Sequence, residues 1–309
     1  MVSEEALLEL LRWLDRRGYD FVTTTPRTHR RFVGAKRDRA ESLRDVFGWS
    51  LPFSADIIDS DLLELLQAAD ALAVSGNDLR CRYRVSRVCG RLFLHSAYPT
   101  DEPDSVFLGP DTYRFIRFVL GRSPAPASRL IDMGTGTGAG GICAAPMVPN
   151  ASIVLLDSNP KALRLARINA AAAGVDVEAI EACSFDALEG EFELVIANPP
   201  FIADVAGPTY RAGGAMLGAQ VSIEWALAAS ARLAPGGRIF LYTGSAIVNG
   251  RDCLRETLER ELPALGCTLR YQEIDPDIFG EQLEGAAYRE VERIAAVGAV
   301  IRRNSATGG

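Results

Sequence analysis

Hydrophobic residues follow two different rhythms along the chain, and the change comes near residue 100. In the first part, apolar residues recur at helical spacing in three stretches and predict helices there: residues 3–17, 39–47 and 59–73. Residues 79–98 then alternate between apolar and polar side chains, with Gly90 as a break, which predicts two β-strands around a turn. We expect these elements to form a smaller N-terminal α+β domain for substrate recognition over residues 1–104, ending in the polar stretch TDEPD.

From about residue 105, predicted strands and helices alternate. Short apolar runs predict strands at residues 129–133, 152–157, 175–181, 192–198, 237–243, 268–274 and 295–301. Helical stretches lie between them, near residues 111–120, 139–147, 160–173, 218–234 and 250–265. This alternation predicts an α/β fold over residues 105–303, a seven-stranded mostly parallel sheet with helices on both faces, followed by a tail at 304–309. Ligands in such folds bind at the carboxyl ends of the strands, near the switch in strand order.

Composition narrows the class of protein. The 309 residues are 48% hydrophobic and 24% charged, as in an ordinary globular protein. The longest apolar stretches fall short of the ~20 residues that cross a bilayer, and the acidic N-terminus is unlike a secretory signal. Six cysteines without a C-x-x-C pattern indicate reduced thiols, so we expect a cytoplasmic protein with no membrane partner. Because the chain has only two histidines, we expect no metal site and no Ser-His-Asp triad.

Charge is distributed unevenly along the chain. The net charge is −7, but residues 1–100 carry 15 basic and 14 acidic side chains, so the excess of acid lies in the remainder. In the strand predicted after residue 79, Arg80, Arg82 and Arg84 alternate and would point to one face. This spacing predicts a basic surface for an acidic partner, with nucleic acid as one candidate.

A glycine-rich segment provides the first candidate for chemistry. Residues 132–141 (DMGTGTGAGG) directly follow a predicted strand and open a helix, where glycines let a ligand lie against bare backbone. Asp157 ends the next strand, in position to accept hydrogen bonds from ribose hydroxyls. By itself this pattern is ambiguous, because Gly134, Gly136 and Ala139 also fit the fingerprint of dinucleotide-binding proteins.

The second candidate is the tetrapeptide Asn198-Pro199-Pro200-Phe201 at the end of the strand predicted at 192–198. Two prolines hold the backbone rigid and remove two donors. The Asn198 side-chain oxygen and the Pro199 carbonyl would then face the cleft as acceptors. Together they can hold both hydrogens of a substrate –NH2 group and direct the nitrogen lone pair, while Phe201 covers a planar amide or base.

With both segments in this order, the chain resembles class I S-adenosylmethionine (SAM)-dependent methyltransferases of the small methyltransferase domain group. That group includes the release-factor glutamine methyltransferases and related rRNA or DNA amino-methyltransferases. The resemblance implies a Rossmann-like fold and SAM as cofactor, with S-adenosylhomocysteine as product. It implies methyl transfer to an amide or exocyclic amine nitrogen of a macromolecule from the translation or nucleic-acid machinery. Such a reaction mainly requires that nitrogen, methyl carbon and sulfur be aligned.

The resemblance also implies roles for individual residues. The residues implied to bind the cofactor are Asp132, Gly134, Thr135, Gly136, Gly138, Asp157, Ser158, Ser184, Phe185 and Asn198. The catalytic residues would be Asn198, Pro199, Pro200 and Phe201. The residues expected to cover the substrate are Phe107, Asp111 and Thr112, together with Tyr210 and Arg211 after the N-P-P-F segment. Many relatives have an acid where this chain has Cys183, so the partner of the adenine amine is left open between Ser184 and Asp186.

Three alternatives remain at this point. The first is a small-molecule methyltransferase with the N-terminal domain as a lid. The second is an NAD-dependent oxidoreductase that uses the same glycine loop, and the third is a non-catalytic nucleic-acid-binding module. Asp132 before the glycines and the N-P-P-F segment after the fourth strand disfavour the oxidoreductase. The two intact motifs disfavour the non-catalytic module.

Overall fold

The computed structural model of the chain describes residues 2–36, 38–122, 126–203 and 212–305. Its N-terminal part contains α1 (Val2–Arg16), α2 (Pro26–Lys36), α3 (Leu43–Phe47), α4 (Ser60–Ala68), β1 (Leu72–Ser75), β2 (Asp78–Cys81), β3 (Tyr83–Val88) and β4 (Arg91–Ser96). The elements that follow are α5 (Pro110–Leu120), β5 (Arg129–Met133), α6 (Ala139–Ala144), β6 (Ser152–Asp157), α7 (Pro160–Ala173), β7 (Glu178–Glu181), β8 (Phe192–Ala197), α8 (Gln220–Ala231), β9 (Leu233–Val248), β10 (Arg251–Asp252), α9 (Cys253–Glu261), β11 (Cys267–Asp275) and β12 (Arg293–Arg303). Among the described residues, no helix combines the length and apolar character needed to cross a membrane.

The central sheet has the strand order β11-β12-β9-β8-β5-β6-β7, and the two-residue strand β10 pairs with β9. The pairs β9–β8, β8–β5, β5–β6 and β6–β7 are parallel, whereas β12 pairs antiparallel with both β9 and β11. The predicted Rossmann-like, mostly parallel sheet is confirmed. Because β5 has β6 on one side and β8 on the other, the strand order switches at β5. The loops that follow β5 and β8 therefore open at the place where such sheets bind ligands.

Alternate residues of each buried strand serve two separate cores. On β5, Leu130 joins the core that contains α5, α6 and α7, while Ile131 joins the core that contains α8 and α9. Leu194 and Val195 of β8 divide in the same way. Since both faces are covered by helices, the strands appear in the sequence as continuous apolar runs.

The N-terminal part packs its helices and two hairpins around a core that extends onto α7 through Ala162, Leu165 and Ile168. Helix α2 was not predicted, and its sequence PRTHRRFVGAK lacks the apolar repeat that marked the other helices. The helix predicted at 59–73 ends at Ala68, because Asp70 adopts a left-handed backbone with φ of +49° and the chain turns into β1. A boundary between domains at residue 104 stays a prediction.

The prediction that Arg80, Arg82 and Arg84 lie on one face of a single strand was wrong. The alternating segment is two strands in different hairpins, since β2 pairs with β1 while β3 pairs with β4. The break falls at Arg82, whose backbone bonds to Ala71 and Ala97. Arg82 is exposed, but Arg84 is 3% exposed and donates from Nε to the Gly48 carbonyl at 2.8 Å. Burial lowers the pKa of Arg84 to about 10.

Candidate functional site

A cavity of about 670 Å³ opens at the carboxyl ends of β5, β6 and β8. Its wall contains the glycine-rich loop after β5, Asp157 at the end of β6, and Asn198 directly after β8. Residues Pro103 to Phe107 and helix α8 close its other sides. The size lies within the roughly 300–1,000 Å³ range of small-molecule and cofactor sites. The structure thus brings both sequence motifs to one cavity.

Three glycines of the loop, Gly134, Gly136 and Gly138, have a positive φ, and two of them also allow close packing. Gly134 and Gly136 both adopt left-handed backbones, with φ of +66° and +54°. A side chain on Gly134 would also meet the Trp225 ring, with a Cβ only 2.6 Å from Cη2. Gly138 also has a positive φ, of +79°, but does not line the cavity; a Cβ there would lie 3.1 Å from Ala166 Cβ of α7, so this glycine lets the start of α6 pack closely on α7.

Asp132 is a buried carboxylate in the wall of the cavity, with 2% of its surface exposed. Its Oδ2 accepts hydrogen bonds from Thr135 Oγ1 at 2.7 Å and from the Gly141 backbone N–H at 2.8 Å. The pKa of Asp132 is raised to about 6, because burial and, to a smaller extent, the nearby carboxyl of Asp157 outweigh the opposing effect of the two hydrogen bonds. A cationic group in the cavity would therefore find a strongly desolvated partner in Asp132.

Asp157 links the loop to the next strand. Its Oδ2 accepts a hydrogen bond from the Gly136 N–H at 2.8 Å, and its Oδ1 accepts one from the Asn159 N–H at 2.9 Å. Burial raises the pKa of Asp157, while these backbone hydrogen bonds lower it. Ser158 and Asn159 line the cavity beside it. The carboxylate keeps unused lone pairs for a ligand, because an ionised carboxylate accepts about four hydrogen bonds.

Asn198 presents a buried acceptor at the cavity. Its Oδ1 is shielded from solvent and has no hydrogen-bond partner among the residues that the structure describes. A buried polar atom left without a partner costs roughly 1–3 kcal/mol, so such an atom in a cavity wall indicates a ligand donor. Pro200 lies in the wall, whereas Pro199 is buried outside it.

The Phe201 ring does not lie where it could cover a planar amide or base, as its predicted role requires. Its side chain is 9% exposed and does not line the cavity. The ring packs edge-on against Phe279, with 5.5 Å between centroids, and lies against Gly244 of β9. To cover a substrate, the ring would have to leave these contacts.

The remaining predicted site residues divide between the cavity and other places. Those in the cavity wall are Phe107, Thr112, Thr135 and Ser158. Ser184 instead caps a short 3-10 turn by accepting from the Asp186 N–H, and Phe185 is buried against Phe192. Ala182 and Cys183 are the residues of this segment that reach the wall. Tyr210 and Arg211 lie outside the described residues.

Asp111 belongs to a second cleft of about 610 Å³, which shares the Phe107 wall with the first. Its Oδ1 accepts from Tyr242 OH at 2.7 Å, and burial raises its pKa. Arg27 and Arg30 of α2 form one side of this cleft, and the acidic residues of the opposite side are Asp277, Glu281 and Glu284. Arg30 and Glu281 approach to 3.8 Å across it.

Sequence reasoning missed the contribution of helix α8. Val221, Glu224 and Trp225 of this helix all line the cavity, and Trp225 lies over Gly134. Glu224 accepts a 2.7 Å hydrogen bond from Gln220 Nε2. A tryptophan in a helix that follows the N-P-P-F loop was the available signal. Within the described part of the chain, no group of His, Cys, Asp and Glu side chains is arranged to hold a metal ion.

Part of the chain is similar in sequence to known methyltransferases. A release factor glutamine methyltransferase from Deinococcus radiodurans is 33% identical over 168 residues, which are 50% of this chain and 55% of that protein. A protein of the same name from Salmonella typhimurium is 34% identical over 102 residues, 32% of this chain and 37% of that protein. The chain thus spans about half the length of the first of these curated relatives and less of the second.

The solved structure of a T. thermophilus 16S rRNA N2 G1207 methyltransferase, in complex with AdoMet and guanosine, is 16% identical with a TM-score of 0.45. That likeness covers 82% of this chain and 64% of that one. Residues 117–260 match the family model described as Methyltransferase small domain. This segment includes the glycine loop, Asp157 and the N-P-P-F tetrapeptide. Residues 117–260 are therefore similar to the methyltransferase small domain.

Proposed function

We propose that this protein is a SAM-dependent N-methyltransferase that acts on an amide or exocyclic amine nitrogen of a macromolecule. The observation that carries the proposal is the buried Asn198 Oδ1, which has no partner within the described chain and lies in the same cavity wall as the glycine loop. An orphaned acceptor at this position fits a donor brought in by a substrate. The similarity of residues 117–260 to the methyltransferase small domain supports the same activity.

The cavity fits SAM by size and by its polar groups. Asp132, the 134–136 backbone and Asp157 would hold the methionine and ribose parts, and the buried Asp132 carboxylate suits a cationic ligand. SAM supplies, when bound, a methyl group on a sulfonium, which is a strong electrophile. Trp225 covers the loop at Gly134 and helps to exclude water from that side.

The protein's own contribution is to align the acceptor nitrogen. Asn198 Oδ1 accepts one hydrogen of the –NH2 group and thereby fixes the direction of the nitrogen lone pair. Orientation of this kind contributes roughly 7–11 kcal/mol in well-aligned reactions. Asn198 also stabilises the positive charge that develops on nitrogen, because its carbonyl dipole points at it. This chemistry needs no histidine base.

A protein amide is the first candidate for the acceptor. The relatives from Deinococcus radiodurans and Salmonella typhimurium are named release factor glutamine methyltransferases. The second cleft adjoins the cavity at Phe107, and its basic side on α2 faces an acidic side at residues 277–284, which suits a polypeptide that carries charges of both signs. We infer that a polypeptide occupies this cleft between the N-terminal part and residues 277–284, while its amide side chain reaches Asn198.

The test uses methyl-labelled SAM and fractionated cell extract, with incorporation measured separately in protein, RNA, DNA and small molecules. We expect label in protein. Label in nucleic acid would contradict the polypeptide acceptor, and label in a small molecule would favour the alternative in which the N-terminal part is a lid. NADH binding more tightly than S-adenosylhomocysteine in calorimetry would overturn the methyltransferase assignment itself.

Variants of Asn198 test the residue that carries the proposal. Asn198→Ala should retain SAM affinity and lose on the order of a hundredfold in single-turnover rate, since it removes the alignment of the nitrogen. Asn198→Asp keeps an acceptor oxygen and should retain partial activity. Asn150→Ala, at an exposed asparagine away from the cavity, is the matched control and should methylate at the wild-type rate. A wild-type rate for Asn198→Ala would show that the N-P-P-F loop is structural.

A further inference from the structure

Two cysteines meet where the β3–β4 hairpin of the N-terminal part packs on helix α6. Cys89 lies in the hairpin turn, with a left-handed backbone at φ of +49°, and Cys143 lies on α6. Arg91 holds the two elements together, since its Nη1 donates to the Ile142 carbonyl at 2.8 Å. Each partner in that hydrogen bond lies within two residues of one of the cysteines.

The two thiols contact each other and differ in exposure. The Cys143 thiol donates a hydrogen bond to the sulfur of Cys89. Cys89 is exposed to solvent, whereas Cys143 is 4% exposed and belongs to the same core as Val88 of the hairpin. An exposed thiol in contact with a buried one is the arrangement in which the first is attacked from solvent and the second resolves the product.

Charge near the pair favours a thiolate on the exposed member. The pKa of Cys89 is lowered to about 7, because the hydrogen bond from Cys143 and the charges of Arg91 and Arg117 outweigh the opposing effect of burial. The same hydrogen bond and burial raise the pKa of Cys143, and the carboxyl of Asp132 adds to this effect. Near neutral pH, Cys89 is therefore present as the reactive thiolate to a greater extent than an ordinary cysteine.

We propose that Cys89 and Cys143 form an oxidisable thiol pair that a hydroperoxide converts to a disulfide. The Cys89 thiolate attacks one peroxide oxygen, so that an S–O bond forms, the O–O bond breaks and the released hydroxide leaves as water after protonation. Cys143 then loses its proton and attacks the Cys89 sulfur, so that the S–S bond forms, the S–O bond breaks and a second water leaves. Two thiols and one hydrogen peroxide thus give one disulfide and two waters.

Helix α6 connects the cysteine pair to the cavity. The Gly141 N–H, two residues before Cys143, donates to Asp132 Oδ2 at 2.8 Å, and Ala139 and Gly140 line the cavity. A disulfide needs an S–S distance of about 2.05 Å, so bonding would draw α6 toward the hairpin and disturb the hydrogen bond to Asp132. On the basis of the proposed function, we expect the oxidised protein to bind S-adenosylhomocysteine more weakly than the reduced protein.

The test treats the purified full chain with hydrogen peroxide, blocks remaining thiols under denaturing conditions and maps disulfides by peptide mass spectrometry. We expect a Cys89–Cys143 crosslink and no crosslink to Cys183, an exposed cysteine that serves as the control. Absence of that crosslink, or equal pairing of Cys89 with Cys183, would overturn the proposal. This readout does not depend on SAM, so its failure is distinguishable from failure of the methyltransferase assignment.

A second measurement covers the case in which a Cys143 variant does not fold. In the wild-type protein, alkylation of Cys89 by iodoacetamide should reach half its maximal rate near pH 7. In Cys143→Ser, if folded, peroxide should leave Cys89 as a sulfenic acid that dimedone traps. A wild-type alkylation midpoint near that of a free cysteine, about 8.5, would contradict the contact between the two thiols.

Discussion

The backbone N–H of Gly136 donates a 2.8 Å hydrogen bond to Asp157 Oδ2, although the two residues are 21 positions apart in the sequence. Asp157 therefore has two tasks: it fixes the tip of the glycine loop and it faces the cavity. In the proposed complex with SAM, its remaining lone pairs accept from the ribose hydroxyls. A substitution at Asp157 should thus affect cofactor binding in two ways.

Asp157→Ala should weaken binding of S-adenosylhomocysteine, because each lost charge-assisted hydrogen bond contributes roughly 1.5–3 kcal/mol. Titration calorimetry measures the change, and a thermal melt establishes that the variant is folded. Asp176→Ala removes an exposed carboxylate from the loop between α7 and β7, outside the cavity wall, and should bind like the wild type. An unchanged affinity in Asp157→Ala would remove this residue from the cofactor site.

The affinity for S-adenosylhomocysteine should also depend on the ionisation of Asp132. Burial raises the pKa of Asp132 to about 6. Below that pH the carboxyl is neutral and attracts no ammonium group, whereas above it the carboxylate is charged. Affinity should therefore rise between pH 5 and about 7 as Asp132 ionises. Asp132→Asn should flatten the upper part of the profile, and an identical profile in that variant would contradict the role of Asp132.

Gly134 and Gly136 form a matched pair for testing the contact with Trp225. Both have a positive φ, but a Cβ on Gly134 would lie 2.6 Å from the Trp225 ring while a Cβ on Gly136 meets nothing within 4 Å. Gly136→Ala should cost about 1 kcal/mol in the free energy of unfolding from backbone strain, and Gly134→Ala should cost more. Adding Trp225→Ala should recover the difference. Equal losses in the two single variants would show that Trp225 moves aside freely.

The sheet and both motifs could be predicted from the sequence, and the reason is physical. Strands buried on both faces, such as β5, β6 and β8, have continuous apolar runs because helices cover each side. The loops after β5 and β8 are fixed by backbone chemistry, which glycine and proline express directly in the sequence. Asp132, Asp157 and Asn198 therefore came together as expected from their strand ends.

What escaped prediction depends on packing between distant elements. The orientation of Phe201 is set by Phe279 and Gly244, which lie far from it in the sequence. The burial of Arg84 depends on the Gly48 carbonyl and on a strand break at Arg82, and an alternating pattern does not distinguish one long strand from two hairpin strands. Such contacts are decided by tertiary structure rather than by local propensity.

The position of the Phe201 ring should affect turnover, and two glycines that contact phenylalanine rings allow this to be tested. On β9, a Cβ at Gly244 would press into the Phe201 ring beside the N-P-P-F loop. On β12, a Cβ at Gly298 would press equally into the Phe118 ring, away from the cavity. Gly244→Ala and Gly298→Ala should therefore lose similar stability, typically about 1–3 kcal/mol for an overpacked core.

The two glycine variants should differ in turnover. In Gly244→Ala the displaced ring should shift Asn198, three residues earlier, and misalignment of this kind costs on the order of a hundredfold in rate. Affinity for S-adenosylhomocysteine should remain, because the glycine loop and Asp157 are not touched. Single-turnover assays at saturating SAM, below the melting temperatures of both variants, measure the difference. Equal rates in the two variants would mean that the Phe201 contact with Gly244 does not hold Asn198 in place.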